Sequence, residues 1–462
     1  MVVPNGKNPE DGFRVEYKQS PVELFSRPPV GISYVNIRYS APCGSDGGSR
    51  GYYWGGRFHK DLYKDTEKLN ENIKLLKEEG IKDSSSVVKN LLYTPNHEGA
   101  GVVASSEPNK DESPREIAGF FPVFSSDHKH LIGLNYGKRR VDFQKMKKGQ
   151  RVVVDAALRC DRHWQIAEGG FPPDCHRDTK NGHIRKRVPG HMEFPGFSFS
   201  APKGLPYPNH MLSVVPKQLN KWIDEDAKTH EQILVMVEPL SCCLEAFHPV
   251  LLSGEKPQVI VILGDGPNSA LLTLVASVAF PESMIYVIGR TDRKLASIAS
   301  FNPDRIHPIK EGRQEHEIGR VQLKKILEGK KQKVDILVPT IIMPTLSDYA
   351  DLVSPSGRVI VWAAGQVGET DPFRGVGDPA KLHHSYGGKN KMEWSALQML
   401  DALAETNPKP LSALVSYPFY LVPLSKAADV MGQWLTNKGR FNVEMDGRMT
   451  SAKIIFGHGI KS

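Results

Sequence analysis

No uninterrupted apolar run in this chain reaches the roughly 20 residues that a membrane-crossing helix needs. The two longest, 259–263 and 270–280, are separated by a polar glycine turn. The opening MVVPNGKNPEDG has no apolar core of a secretory signal, so a cytoplasmic location is expected. Cysteine is scarce, five in 462 residues and an odd number, which fits reduced thiols better than a disulfide framework. No internal repeat is visible. Basic clusters exist at Arg139, Arg140, Lys145, Lys147, Lys148 and at Arg185, Lys186, Arg187, but aromatic interleaving is missing, so a nucleic-acid partner is not expected.

What is present is an ordinary globular composition, 39% hydrophobic and 24% charged, in a chain long enough for more than one hydrophobic core. The formal charge of +8 is modest. Most of it belongs on solvated faces, and it leaves an anionic small-molecule substrate open.

Up to about residue 250 the chain reads as short β-type runs broken by Gly, Pro and Asn, such as 31–39 and 99–104. Within it, 60–82 places Leu62, Leu69, Ile73 and Leu76 at near-helical spacing among charges, which predicts an exposed amphipathic helix. From Gln258 the pattern becomes alternating: VIVIL, an apolar helix from Asn268, MIYVI, a charged helix, VDILV, RVIVWAA. Continuous Val/Ile strands between helices predict a parallel sheet covered on both faces. A helix over 395–404 and a strand over 452–456 are expected to rejoin the first domain. The division is therefore 1–250, 251–394 and a returning segment 395–462.

The first of these strands runs into Gly264-Asp265-Gly266-Pro267-Asn268-Ser269 and then a helix. In that setting the first glycine allows a tight turn, the second lets backbone amides approach a pyrophosphate, and the helix N-terminus favours its charge. Gly264, Gly266, Pro267 and Asn268 are the candidate contacts. Ser269 stands where a third glycine is usual. At the end of the next strand, where a carboxylate would take the ribose hydroxyls of NAD, the chain has Gly289-Arg290-Thr291-Asp292-Arg293-Lys294. Loss of the acid and gain of a cation predict NADP over NAD, with Arg290 on the 2′-phosphate and Arg293 or Lys294 assisting.

A thiol, an imidazole and a carboxylate are a donor set for a catalytic zinc with one open position. Cys43, His97 and either Glu98 or Glu238 could supply it. The ordered motifs Cys43-Gly44-Ser45-Asp46, NHEGAGVV around His97-Glu98, VEPLSCCLEAF around Glu238, and the glycine turn resemble the zinc-containing medium-chain dehydrogenases, the alcohol, polyol and sugar dehydrogenase family. The likeness runs from about Ile32 to the C-terminus. It implies an irregular β-rich, GroES-like catalytic domain joined to a Rossmann doubly wound parallel-sheet domain of the α/β class. It also implies one catalytic Zn2+, with Cys43, His97, Glu98 and Glu238 as the metal candidates. Ser45 takes a place in a proton relay, and the assembly is a homodimer or homotetramer. The glutamate at 238 matches the polyol-type branch, and Cys242 and Cys243 then read as packing residues.

Several positions depart from the family pattern. Asn96 replaces a glycine, and Gly48 stands where many members carry a proton-passing histidine. The lobe of four closely spaced cysteines is missing: only Cys160 and Cys175, with His163 and His176 near them, lie there, and no second zinc is expected. Cys43 and His97 are more widely spaced than is usual, because the charged segment 60–82 intervenes. The resemblance implies a zinc-dependent hydride transfer between NAD(P) and a secondary alcohol or carbonyl of a polyol, sugar or cyclitol derivative. The rivals are a zinc-free NADPH-dependent reductase of the same fold and a catalytically decayed nucleotide-binding regulator.

Overall fold

The computed structural model describes residues 2–4, 13–15, 32–42, 98–107, 115–141, 146–154, 205–209, 212–312, 318–340, 349, 351–362, 377–378, 381–385, 393–436 and 441–457. The helix expected over 60–82, and the segment with Cys160, His163, Cys175 and His176, lie outside them.

The chain begins with a small antiparallel ribbon, β1 (Val2–Pro4) with β2 (Phe13–Val15). Then come β3 (Ile32–Ala41), β4 (Glu98–Ser106), the hairpin strands β5 (Arg115–Phe124) and β6 (Leu131–Val141), β7 (Arg151–Val154), β8 (Leu205–Pro208) and β9 (Leu212–Val214). Helix α1 (Lys217–Glu225), the short α2 (Ala227–His230), a 3-10 segment (Glu231–Met236) and α3 (Val237–Ser253) lead into β10 (Val259–Leu263). From there helix and strand alternate: α4 (Pro267–Ala279), β11 (Met284–Gly289), α5 (Asp292–Ala299), β12 (Ile306–Lys310), α6 (Ile318–Lys330), β13 (Val334–Pro339), β14 (Val353–Val361) and β15 (Leu382–His384). The last part holds α7 (Glu393–Thr406), α8 (Lys409–Val415), β16 (Tyr420–Pro423), α9 (Ala427–Thr436), the hairpin β17 (Asn442–Met445) and β18 (Arg448–Ser451), and β19 (Ile454–Gly457).

One sheet is six-stranded in the order β12-β11-β10-β13-β14-β15, every adjacent pair parallel. The chain moves outward from β10 to β12, crosses back, and moves outward again from β13 to β15. The switch point therefore lies between β10 and β13, where ligands of such sheets bind. All five residues of β10 are buried. Its alternation sends Val259, Val261 and Leu263 to the core beside Leu323 and Leu327 of α6, and Ile260 and Ile262 to the larger core with α3, α4 and α7. This is the doubly wound α/β architecture.

The second sheet is seven-stranded, in the order β16-β19-β3-β4-β7-β9 with β8 also pairing with β3. It is antiparallel apart from β16 with β19, and the late strand β19 lies against β3, with Phe456 opposite Ser40. It has its own core of Val35, Ile37, Val103, Val152, Val154 and Leu212.

Between β4 and β7 the hairpin β5–β6 leaves this sheet and lies on helices of the other half. Phe120 N donates to Ser395 Oγ at 2.9 Å, the Phe121 ring meets Trp394 edge-on at 5.6 Å, and Phe120 and Tyr136 flank His248 of α3 at 5.3 and 5.5 Å. Of the basic residues noted above, Arg139 sits over the Phe121 ring at 4.4 Å.

One helical stretch, Ala227–Ser253, is 27 residues long and apolar enough by length and composition to cross a membrane. The sequence reading did not single it out, because Glu231, Glu238 and Glu245 interrupt its apolar runs. Of its apolar window 83% is buried inside the protein, so its hydrophobic surface is spent on the core.

Candidate functional site

The loop after β10 sits at the carboxyl end of the parallel sheet. Gly264 has φ 120°, a conformation that favours glycine, and its N–H donates to Ile288 O at 2.7 Å, tying the turn to β11. Gly266 precedes α4 and Pro267 opens it, where proline's fixed φ suits the first turn. A Cβ added at Gly266 would meet nothing within 4 Å, so the protein's own packing does not require a glycine there. Asn268 is exposed in the first turn. Ser269, at the usual glycine position, is fully buried. Its Oγ lies 2.8 Å from Thr340 Oγ1, which itself donates to Leu263 O at 2.7 Å. The serine thus joins α4 to the ends of β10 and β13 across the switch point.

Arg290 is exposed at the end of β11 and Arg293 lies on the first turn of α5. The acid that the sequence pattern lacks after β11 is nevertheless present at that turn, supplied by Asp265. Its Oδ2 accepts the backbone N–H of Arg290 at 2.8 Å and of Thr291 at 2.6 Å.

At the other candidate site, Cys43, Ser45, His97 and Gly48 lie outside the described residues, and Glu98 and Glu238 lie within them. Glu98 opens β4 opposite Ala41 of β3 and is completely buried. Lys453 Nζ donates to Glu98 Oε1 at 2.7 Å and stands 2.6 Å from Oε2 as an ion pair, and the same ammonium donates to Pro42 O at 3.2 Å. The chain neighbours of Cys43 and His97 therefore meet at one cation.

Glu238 is in the first turn of α3, 8% exposed, and its Oε1 accepts from Cys242 Sγ at 3.5 Å. Cys243 is fully buried in the main core. Its thiol is pushed well above the usual value by burial and then by Glu238, with Lys453 opposing. Glu238 and Lys453 thus both act on one side chain. Among the described residues no group of three His, Cys, Asp or Glu gathers as a cation site.

Sequence reasoning overlooked Lys453, Asp446, Thr450 and Tyr417. Lys453 had a legible signal, a single cation at the mouth of the buried strand Ile454–Gly457. A second cluster is structural: Glu231 accepts from Arg38 at 3.2 Å and from Arg151 Nε at 2.9 Å, binding β3 and β7 to the 3-10 segment.

No family model matches the sequence, and no curated protein matches it either. Solved structures do match the fold. The alcohol dehydrogenase of Thermus sp. ATN1 superimposes over 99% of this chain and 98% of its own with a TM-score of 0.52 at 18% identity. The 2R,3R-butanediol dehydrogenase of Bacillus subtilis does so over 99% and 98% with 0.52 at 14% identity. An alcohol dehydrogenase of Thermotoga maritima covers 94% of each chain with 0.52 at 14% identity. The chain has the two-sheet fold of the medium-chain alcohol dehydrogenases, a Rossmann sheet beside a GroES-like one, as its ordered motifs imply.

Proposed function

We propose that the chain is an NAD(P)-dependent dehydrogenase acting on CH–OH donors, with one zinc and a polyol, sugar or cyclitol derivative as substrate. The convergence of Pro42, Glu98 and Lys453, with α3 packed against β4, supports this reading. It draws the flanks of Cys43 and His97 to the region of an acidic side chain at the start of the helix that feeds the nucleotide sheet.

The donor set of thiolate, imidazole and carboxylate suits zinc. Glu98 is paired with Lys453, which favours Glu238 as the third ligand with Cys43 and His97. Glu98 would then act indirectly, its pairing with Lys453 tying the end of β3 to the start of β4. Bound there, zinc supplies Lewis-acid polarisation of a substrate oxygen. Ser45 would carry the hydroxyl proton away, and the open space at Gly266 beside the first turn of α4 would receive the pyrophosphate. Arg290 supports NADP over NAD. A homodimer or homotetramer in the cytoplasm belongs to the same proposal.

The test is zinc content together with NADP reduction on a panel of polyols and sugar phosphates. Cys43→Ser and Glu238→Gln should each lose zinc and turnover, whereas Glu98→Gln should keep zinc with affinity lowered about 10–100-fold. Full activity in Cys43→Ser would refute the metal reading, and turnover undiminished by chelators would favour the zinc-free reductase.

A further inference from the structure

The turn after β11 is held by the protein itself, chiefly through one acid. Asp265 Oδ2 gathers the N–H groups of Arg290 and Thr291. A Cβ at Gly289 would lie 2.5 Å from Asp265 Cβ and 2.9 Å from its Cγ, so the Asp265 side chain leaves room only for glycine at 289. The Asp265 carbonyl accepts from Tyr417 Oη at 2.6 Å. The hairpin β17–β18 reaches over from the returning segment: Asp446 Oδ2 accepts the Arg293 N–H at 3.1 Å, and Thr450 Oγ1 accepts from Lys294 Nζ at 2.7 Å. Lys294 is only 1% exposed; burial pushes its ammonium below the usual value, and the charge of Asp265 opposes that. Asp292, the remaining acid of the turn, is paired with Lys310.

We propose that Asp265 is a positioning residue for dinucleotide selectivity: by holding the amides of Arg290 and Thr291 it fixes the backbone from which the Arg290 guanidinium meets a 2′-phosphate. This rests on the dinucleotide reading above. Two effects compete. A carboxylate near a 2′-phosphate repels it, but this one is engaged by two N–H donors and has a buried ammonium beside it. With the Asp292–Lys310 pair included, the cations Arg290, Arg293, Lys294 and Lys310 exceed the acids Asp265, Asp292 and Asp446 at the turn by one. Positioning therefore outweighs repulsion, and the acid serves the phosphate it would otherwise oppose.

The experiment is titration of NADPH and of NADH, followed by protein fluorescence, into the full-length wild type and the variants Arg290→Ala, Asp265→Ala, Asp265→Asn and Asp265→Glu. Wild type should prefer NADPH, and Arg290→Ala should erase the preference. Asp265→Ala should cut the NADPH-to-NADH affinity ratio about tenfold, the loss of one charge-assisted contact. Asp265→Asn, which keeps an acceptor oxygen, should restore most of the ratio. Asp265→Glu, which keeps the charge and moves the oxygen, should lower it and substitutes for the alanine variant if that one does not fold. An unchanged ratio, or tighter NADPH binding, in Asp265→Ala or Asp265→Glu overturns the inference while Arg290→Ala still behaves as stated. A wild type that binds neither dinucleotide, or a ratio indifferent to Arg290→Ala, overturns the dinucleotide reading and this inference with it.

Discussion

The parallel sheet and the antiparallel sheet are assembled from opposite kinds of chain. The first takes its six strands in one passage from Val259 to His384, with α4, α5 and α6 following β10, β11 and β12 in turn. The second collects β3, β4, β7, β8 and β9 from the first half and closes with β16 and β19 from the end. Local connection lets each βαβ unit declare itself in sequence. Long-range pairing leaves the antiparallel sheet dependent on contacts that join distant residues, and such contacts are where single substitutions should do most harm.

Lys453 offers the sharpest break in that comparison. Replacing it with Met leaves the Glu98 carboxylate buried without its counter-charge and should lower the unfolding free energy by about 3–5 kcal/mol in denaturant titrations. Combining it with Glu98→Gln should recover much of the loss, because the cost lies in the stranded charge. A small effect of Lys453→Met would mean that the clasp between the last strand and residues 42 and 98 is dispensable.

In the locally connected sheet, Gly289→Ala forces a methyl against Asp265 and should cost about 1–3 kcal/mol by the same measurement. The cost should shrink in an Asp265→Gly background, since the tightest contact, 2.5 Å, is with the Asp265 Cβ that alanine would keep. Equal losses in both backgrounds would place the strain elsewhere.

Asp446→Ala removes the acceptor for the Arg293 N–H at the start of α5 and should cost about 1 kcal/mol. Slower amide exchange in wild-type α5 than in the variant would report the same bridge between the returning segment and the nucleotide half.

Smallest is Tyr417→Phe, which deletes one hydrogen bond worth about 0.5–1.5 kcal/mol. It also carries a pH signature. Burial, and then the charge of Asp265, raises the Tyr417 phenol well above the ordinary 10.0, and burial alone does so for Tyr207. Both phenols stay protonated in the fold while the unfolded chain ionises. Their contribution is intact below pH 10.0 and is lost as pH rises beyond it. The phenylalanine variant should show a shallower alkaline decline in stability than wild type.

Most of the parallel sheet was legible. VIVIL, MIYVI and VDILV are strands because Val and Ile on both faces fit only a sheet covered by helices, and Gly264 at positive φ marks the turn that follows. The strands over 31–39 and 99–104 were legible too, and each extends a little further, as β3 and β4. The buried stretch Ala227–Ser253 was not, since its acids make it look amphipathic until Glu231 is seen paired with two arginines and Glu238 is seen buried. Glu98 and Glu238 were legible as acidic candidates, but the partners the structure gives them were not.

Sequence by itself determined the order of elements, the fold class and the chemistry on offer at Glu98, Glu238 and the glycine turn, because periodicity and residue type are local properties. Only the tertiary structure decided that Glu98 is the partner of Lys453, that Ser269 joins two strand ends through Thr340, and that Asp265 supplies the acid missing after β11. Each of these is a contact between residues far apart in the chain. Which buried polar group finds which partner is fixed by which strands and helices become neighbours within each sheet, and no local pattern encodes it.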